Sequence, residues 1–334
     1  MRSRYFATIC ALAVVGFAPR VAVDQTAAPK GASKPAGSAS KWTPAHTAWG
    51  DPDIQGLWNN STTTPLERPN ALGTRQFLTP QEIEEELAAQ IRKRDAPPVT
   101  GDTGTYNYVW MENGKSLNRT SLIVDPPDGR LPPMTPTAEK AYAEWVANRR
   151  LHPADAWDDI NLATRCLTRG APKNPGGYNN NFLILQTPGQ VTILQEMIHE
   201  VRVIPLDGRP HLNKNVYLWM GDSRGHWEGD TLVVDTTNYN DKIINLSYNC
   251  CPGAGANLHV IERFKRVGPD DIEYSYTVDD PATWTRQWTA SVPLNKSAGP
   301  MFEYACHEGN HAMIGILGGA RAQEAAKSGS TGSK

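Results

Sequence analysis

Beyond Asn179 the chain alternates apolar and polar residues with the period of a half-buried strand. Phe182–Thr187, Gln190–His199 and Val201–Pro205 are rich in β-branched residues and are divided by Pro188-Gly189 and Asp207-Gly208, breaks of the hairpin type. Val216–Met220, Thr231–Thr237, His259–Arg266, Ile272–Val278, Thr283–Val292 and Met301–Cys306 continue the series. Turn signals stand at Gly221-Asp222, Gly229-Asp230, Gly268-Pro269 and Asp279-Asp280-Pro281. The pattern predicts a mainly β fold, an antiparallel meander ending as a barrel or half-barrel, because closure removes exposed strand edges. A short helix over Ala312–Ala326 follows.

The preceding half reads differently. Thr79-Pro80-Gln81-Glu82 is a helix start, with Thr79 as N-cap and Pro80 at the first helical position, and the helix extends to about Arg94. Thr135-Pro136-Thr137-Ala138-Glu139 repeats the signal and leads to Arg150. Between them Thr120–Val124 reads as a short strand, stopped by Asp125-Pro126-Pro127-Asp128-Gly129. Too few apolar periodic segments occur here for a separate core. Residues 42–178 are therefore expected to form an irregular arm with two helices, packed on a β domain at 179–326, with a disordered tail at 327–334.

At the start, Arg2 and Arg4 precede an apolar run from Tyr5 to Ala18, too short to span a bilayer but ordered as a secretory signal. Residues 1–23 are read as that signal and 24–41, rich in Ala, Pro, Gly, Ser and Lys, as a flexible linker. A periplasmic or secreted location is expected. No second apolar segment of spanning length occurs, and mean hydropathy is -0.49.

Charge narrows the partners. With 33 basic and 35 acidic residues the net charge is -2, which provides no field to collect nucleic acid or an anionic membrane. Of five cysteines, four lie beyond the signal: Cys166, Cys250, Cys251 and Cys306. An oxidising compartment favours disulfides, and a bridge between neighbours would strain the peptide, so Cys166–Cys306 is the first expectation. The even count alone does not fix the pairing. Zinc held by these four is less favoured, since no C-x-x-C spacing occurs. No cofactor is indicated, and neither a Gly-x-Ser-x-Gly elbow nor a nucleotide loop is present.

Trp49-Gly50-Asp51-Pro52-Asp53-Ile54-Gln55-Gly56-Leu57-Trp58, Pro65-Leu66-Glu67-Arg68-Pro69, Ser121–Arg130 and Glu303–Asn310 resemble a group of uncharacterised bacterial proteins predicted to be exported. The likeness covers nearly all of the chain beyond the signal and implies export without any particular activity. Gly225-His226-Trp227-Glu228-Gly229 is similar to the Gly-x-Trp-x-Gly hairpin of lipocalin-like barrels. That similarity implies a cup for a small amphipathic ligand.

Strand alternation locates candidate chemistry. Glu262 falls between Val260 and Phe264 on the expected inner face, and Arg286 shares a face with Trp284 and Trp288. An unbroken strand from Ile193 to Val203 would place Gln195 and His199 inside as well, on one face with Ile193, Met197, Val201 and Val203. Tyr276, Glu303, Tyr304 and His307 complete a ligand-binding set with Gln195, Trp284 and Trp288. In an enzyme, Glu262 or His199 would act as acid or base and Arg286 as an electrostatic clamp. The ordinary alternative for inward Glu and Arg is a buried ion pair that sets register, and for the tryptophans a place in the core. His307-Glu308-Gly309-Asn310-His311 matches H-E-x-x-H, which on a helix would chelate zinc, although Gly309 and Asn310 are poor helix formers. Asn179-Asn180-Asn181 offers amides for sugar hydroxyls, or simply Asx turns. The functional expectation is an exported binder of a small amphipathic molecule or carbohydrate. The alternatives are acid/base catalysis in the same cavity (isomerase, cyclase, lyase or hydrolase) and a zinc hydrolase. A packed barrel interior without a pocket would leave only an envelope structural protein with no cavity chemistry.

Overall fold

The computed structural model describes residues 42–95, 111–112, 114–240, 242 and 255–331. The expected signal and linker, and Cys250 and Cys251, lie outside them. Ten strands form one antiparallel sheet: β1 (Gly56–Asn59), β2 (Ile123–Asp125), β3 (Asn181–Thr187), β4 (Gln190–Gln195), β5 (Glu200–Pro205), β6 (Asp222–Glu228), β7 (Thr231–Thr237), β8 (His259–Arg266), β9 (Asp271–Asp279) and β10 (Trp288–Lys296). Their order is β5-β4-β3-β1-β10-β9-β8-β7-β6, with β2 also paired to β10. Two meanders, β3 to β5 and β6 to β10, are thus joined by β1, a strand from the expected arm that the alternation pattern does not reveal.

The sheet curls until its edges nearly meet. At Gly225 of β6 a Cβ atom would stand 2.6 Å from Leu206 Cδ2 and 2.8 Å from Ile204 Cγ2, at the end of β5. Only a glycine lets the edges approach this closely. The barrel interior is packed: Ile184, Val234, Tyr276, Trp288 and Leu294 are 0 % exposed. A void able to hold water beside these side chains would expose their atoms, and it does not.

Three expected strands change. Val216–Met220 makes only an isolated bridge, Leu218 to Tyr239. Met301–Cys306 has no regular structure. Thr283–Val292 becomes extended only from Trp288, because Thr283 and Trp284 still donate their amides to Asp280 in a turn. Conversely β6, polar in composition, is a full member of the sheet.

Both expected helices of the arm form, as α1 (Pro80–Asp95) and α2 (Pro136–Leu151). Glu82 N–H donates to Thr79 Oγ1 at 3.3 Å while Thr79 N–H donates to Glu82 at 2.8 Å, a reciprocal cap. Thr135 accepts from Ala138 N–H at 3.2 Å at the start of α2. No side chain of α2 is buried. A third helix, α3 (His311–Thr331), runs into the expected tail. No helix among the described residues is long and apolar enough to cross a membrane. Cys166 and Cys306 form the expected disulfide.

Candidate functional site

Glu262 does face the interior, where it is 1 % exposed. Its partner is Arg202 of β5, 5 % exposed, with Nη1 and Nη2 donating at 2.6 and 3.0 Å, and Tyr274 donates its hydroxyl at 2.7 Å. Burial alone would lower the Arg202 pKa, but the Glu262 charge and hydrogen bonds outweigh it and the net shift is upward. Arg202 therefore stays charged. Burial, reinforced by the Glu262 carboxylate, pushes the Tyr274 hydroxyl well above its usual value. This is the buried ion pair of the ordinary reading.

Arg286 is a correction. It is exposed and clamps Asp125 through Nη2, 2.9 Å from each carboxylate oxygen. Because residues 283–287 do not form a strand, period-two facing does not apply to them. Trp284 and Trp288 are core residues in edge-to-face contact at 6.4 Å. Tyr276 is also buried and donates to Asn174 at 2.5 Å. Gln195 faces inward; its Oε1 and the Trp288 Nε1 have no hydrogen-bond partner among the described residues.

His199 is a second correction. The strand expected from Ile193 to Val203 breaks at Glu196–His199 and reverses, so that Gln195 pairs with Glu200. The reversal shifts facing by one position. Val201 and Val203 turn outward at 55 % and 50 % exposure, Arg202 and Ile204 turn inward, and His199 lies at the surface.

That turn borders a cleft of about 1390 Å³ on the barrel's flank. Its floor is built where β1 ends, β3 begins and β4 ends. Asn59 Nδ2 donates to Glu112 Oε2 at 2.8 Å and to Asn181 Oδ1 at 3.0 Å, and Asn181 Nδ2 donates to Glu196 Oε2 at 2.8 Å. Two carboxylates are thus held one asparagine pair apart. Tyr178 and Met111 contribute walls, and the chain after β10 adds a strap with Phe302, Glu303, Tyr304 and Glu308. The strap is fastened at three points: Phe302 N–H to Glu196 at 3.0 Å, His199 Nδ1 to the Tyr304 carbonyl at 2.7 Å, and Cys306 to Cys166. Since a carbonyl only accepts, His199 carries its proton on Nδ1.

Backbone strain gathers here. Of the five non-glycine residues at positive φ among those described, Cys166, Asn179, Ile198 and His199 sit on or beside the cleft. Ile198, at φ 62°, is the costliest, since a β-branched side chain opposes that conformation by about 1–3 kcal/mol. Behind the floor lie two displaced titrations. Burial pushes Lys173 down to about 7 against the opposing charge of Glu112, and burial pushes Glu200 up to about 7 against hydrogen bonds from Thr168 and Arg169. Lys173 Nζ donates to Asn180 Oδ1 at 3.1 Å, and Asn180 Nδ2 to Glu112 at 3.1 Å, which connects the lysine to the floor.

Glu303 and Tyr304, expected around a cavity within the barrel, line this flank cleft instead, as do Asn179 and Asn181; sequence reasoning missed Asn59, Glu112 and Glu196 on the cleft and Lys173 and Glu200 behind its floor. The Glu196 and Glu200 pair, spaced across a four-residue turn, is a signal that would have found two of them had the turn been recognised. His307 is exposed, its ring 6.2 Å from that of His199. It lies before α3, separated from His311 by Gly309 at φ 72°, so the two histidines are not one helical turn apart. Among the described residues no group of three His, Cys, Asp or Glu side chains is arranged to hold a metal ion. No protein family, curated protein or solved structure matches the chain.

Proposed function

We propose that this chain is an exported binding protein for a small hydroxyl-rich molecule of the carbohydrate class, held in the flank cleft. The observation that carries the reading is the floor, where amides and carboxylates fix one another at 2.8–3.0 Å. A sugar hydroxyl both donates and accepts: the floor's carboxylate and Asn181 Oδ1 lone pairs accept, and the Asn181 Nδ2 hydrogen not given to Glu196 donates, both hydrogens of Asn59 Nδ2 being already engaged. Tyr178, Phe302 and Tyr304 add apolar surface for ring faces. The interior expected to hold a lipocalin-like cup for an amphipathic guest is filled by its own side chains, which taken alone meets the condition for an envelope structural protein; the flank cleft is the concavity that supports binding instead. The sulfur bridge fits an oxidising compartment.

The test is a thermal-shift screen with mono- and oligosaccharides, followed by calorimetry. A ligand at a hundred times its Kd stabilises by about 2.7 kcal/mol, and Asn59→Ala should weaken binding by about tenfold. Sugars that give no shift, or bind Asn59→Ala undiminished, would refute the reading. A second reading is acid/base catalysis in the cleft: Lys173 and Glu200, both brought to about 7, lie behind the floor rather than on the lining, and the Asn180–Glu112 hydrogen bond connects the lysine to it. Turnover of the bound sugar, lost in Lys173→Met while binding persists, would select it.

A further inference from the structure

On the outer face of the barrel, where β6 and β8 begin and β7 ends, four ionisable side chains share hydrogen bonds. His211, in the connection between β5 and β6, has Nδ1 2.9 Å from Asp222 Oδ2 and Nε2 3.1 Å from Asp235 Oδ1. His259 of β8 brings its Nε2 to 2.9 Å from the same Asp235 oxygen. Leu212 N–H donates to Asp222 Oδ2 at 3.0 Å. Arg224 of β6 lies 3.0 Å from Asp222 Oδ1 and donates to the Pro210 carbonyl at 3.3 Å.

A neutral imidazole owns one N–H, and an ionised carboxylate only accepts. Both His211 bonds exist together only while the ring carries two protons. Removing one leaves a nitrogen lone pair facing a carboxylate oxygen, which turns an attraction into a repulsion. We propose that His211 is a protonation-dependent clasp, which in acid pins the connection between β5 and β6 across β6 and β7 and which releases residues 207–212 from the barrel wall when the ring loses a proton.

The surrounding charges set the direction. Asp222 and Arg224 face the ring from β6, Asp235 from β7 and His259 from β8, with Asp279 of β9 adding charge beside His259. Asp207 and Arg209 pair with each other on the connection itself. Asp235 is held below the usual carboxylate range, first by its hydrogen bond from His259, and His259 is raised by the same bond against the opposing effect of burial. For His259, whose folded value is raised, the stabilisation is full below its unfolded value and is lost as pH rises through the folded value. The clasp is closed in acid and opens toward alkaline pH.

The second half of the connection is held by a neutral anchor. Asn238 Nδ2 donates to the carbonyls of Asn213 and Val216 at 3.0 and 2.9 Å, and Leu218 N–H donates to the Asn238 carbonyl at 2.9 Å. No proton is gained or lost there, so Leu218 serves as an internal control. The experiment is native-state hydrogen exchange of the full chain between about pH 5.5 and about pH 8.5, corrected for intrinsic rates. Protection of the Leu212 amide is expected to fall about tenfold or more across that range while Leu218 holds steady, since a charge-assisted bond is lost at only one of the two sites. His211→Gln should leave Leu212 weakly protected at every pH. Undiminished Leu212 protection at the alkaline end, a parallel fall at Leu218, or an unchanged pH response in His211→Gln would each overturn the proposal.

Discussion

Glu262 illustrates a side chain whose direction is legible while its partner is not. Strand period placed it inside, and Arg202, concealed by the reversal at Glu196–His199, meets it there. Glu262→Gln would leave the Arg202 charge buried without its counter-ion. Chemical denaturation should show a loss of about 3–5 kcal/mol, with sugar affinity unchanged because the pair lies away from the cleft. Lys173 and Glu200 make a separate prediction. Glu200 is raised, so between its unfolded value of 4.5 and about 7 the folded protein keeps a proton that the unfolded chain has lost, and stability falls as pH rises through that window. Lys173 is lowered, so between about 7 and its unfolded value of 10.5 the unfolded chain keeps the extra proton, and stability rises with pH. Denaturation midpoints at about pH 5, 7 and 9 should therefore show that Lys173→Met lacks the alkaline rise of the wild type; an identical rise in both would contradict the placement of the lysine. Neither residue was legible beforehand, because burial of a polar side chain from an irregular segment leaves no periodic trace.

Hairpins and caps were read correctly where the local chemistry is strong. The α1 and α2 starts rest on Thr79 and Thr135, and the β3–β4 turn on Pro188-Gly189. What failed was parity. A strand carried straight through Glu196–His199 assigns the wrong face to every residue beyond it, which is why Val201 and Val203 were expected inside. Strand β1 went unseen because four residues after a Gly, Pro and Asp-rich stretch are too few to show alternation, although they occupy the gap between two meanders. Gly225 belongs to the hairpin that resembles lipocalin-like sequences, and its role here is to let β5 approach β6. Gly225→Val should overpack that seam and cost about 1–3 kcal/mol by denaturation, whereas Gly229→Ala in the following turn, at φ 57° with open space around it, strains only the backbone. Equal and negligible effects at both would mean the seam is looser than described.

The disulfide ties together residues 140 apart in sequence, joining the strap over the cleft to the segment before β3. Cys166→Ser with Cys306→Ser should lower stability by about 2–5 kcal/mol and, at a temperature where the protein remains folded, weaken ligand binding by loosening Phe302 and Tyr304. Stability loss without any loss of affinity would show that the strap is no part of the site. The proposed ligand sits outside a solid barrel. Nitrogen-15 NMR during titration with the best-binding oligosaccharide tests this directly, because the side-chain amides of Asn59 and Asn181 report on the cleft and the Trp288 indole reports on the interior. The cleft amides and the Phe302 backbone amide should move progressively while the Trp288 indole stays still. A moving Trp288 indole beside unmoved cleft amides would place the ligand inside the barrel and contradict the account.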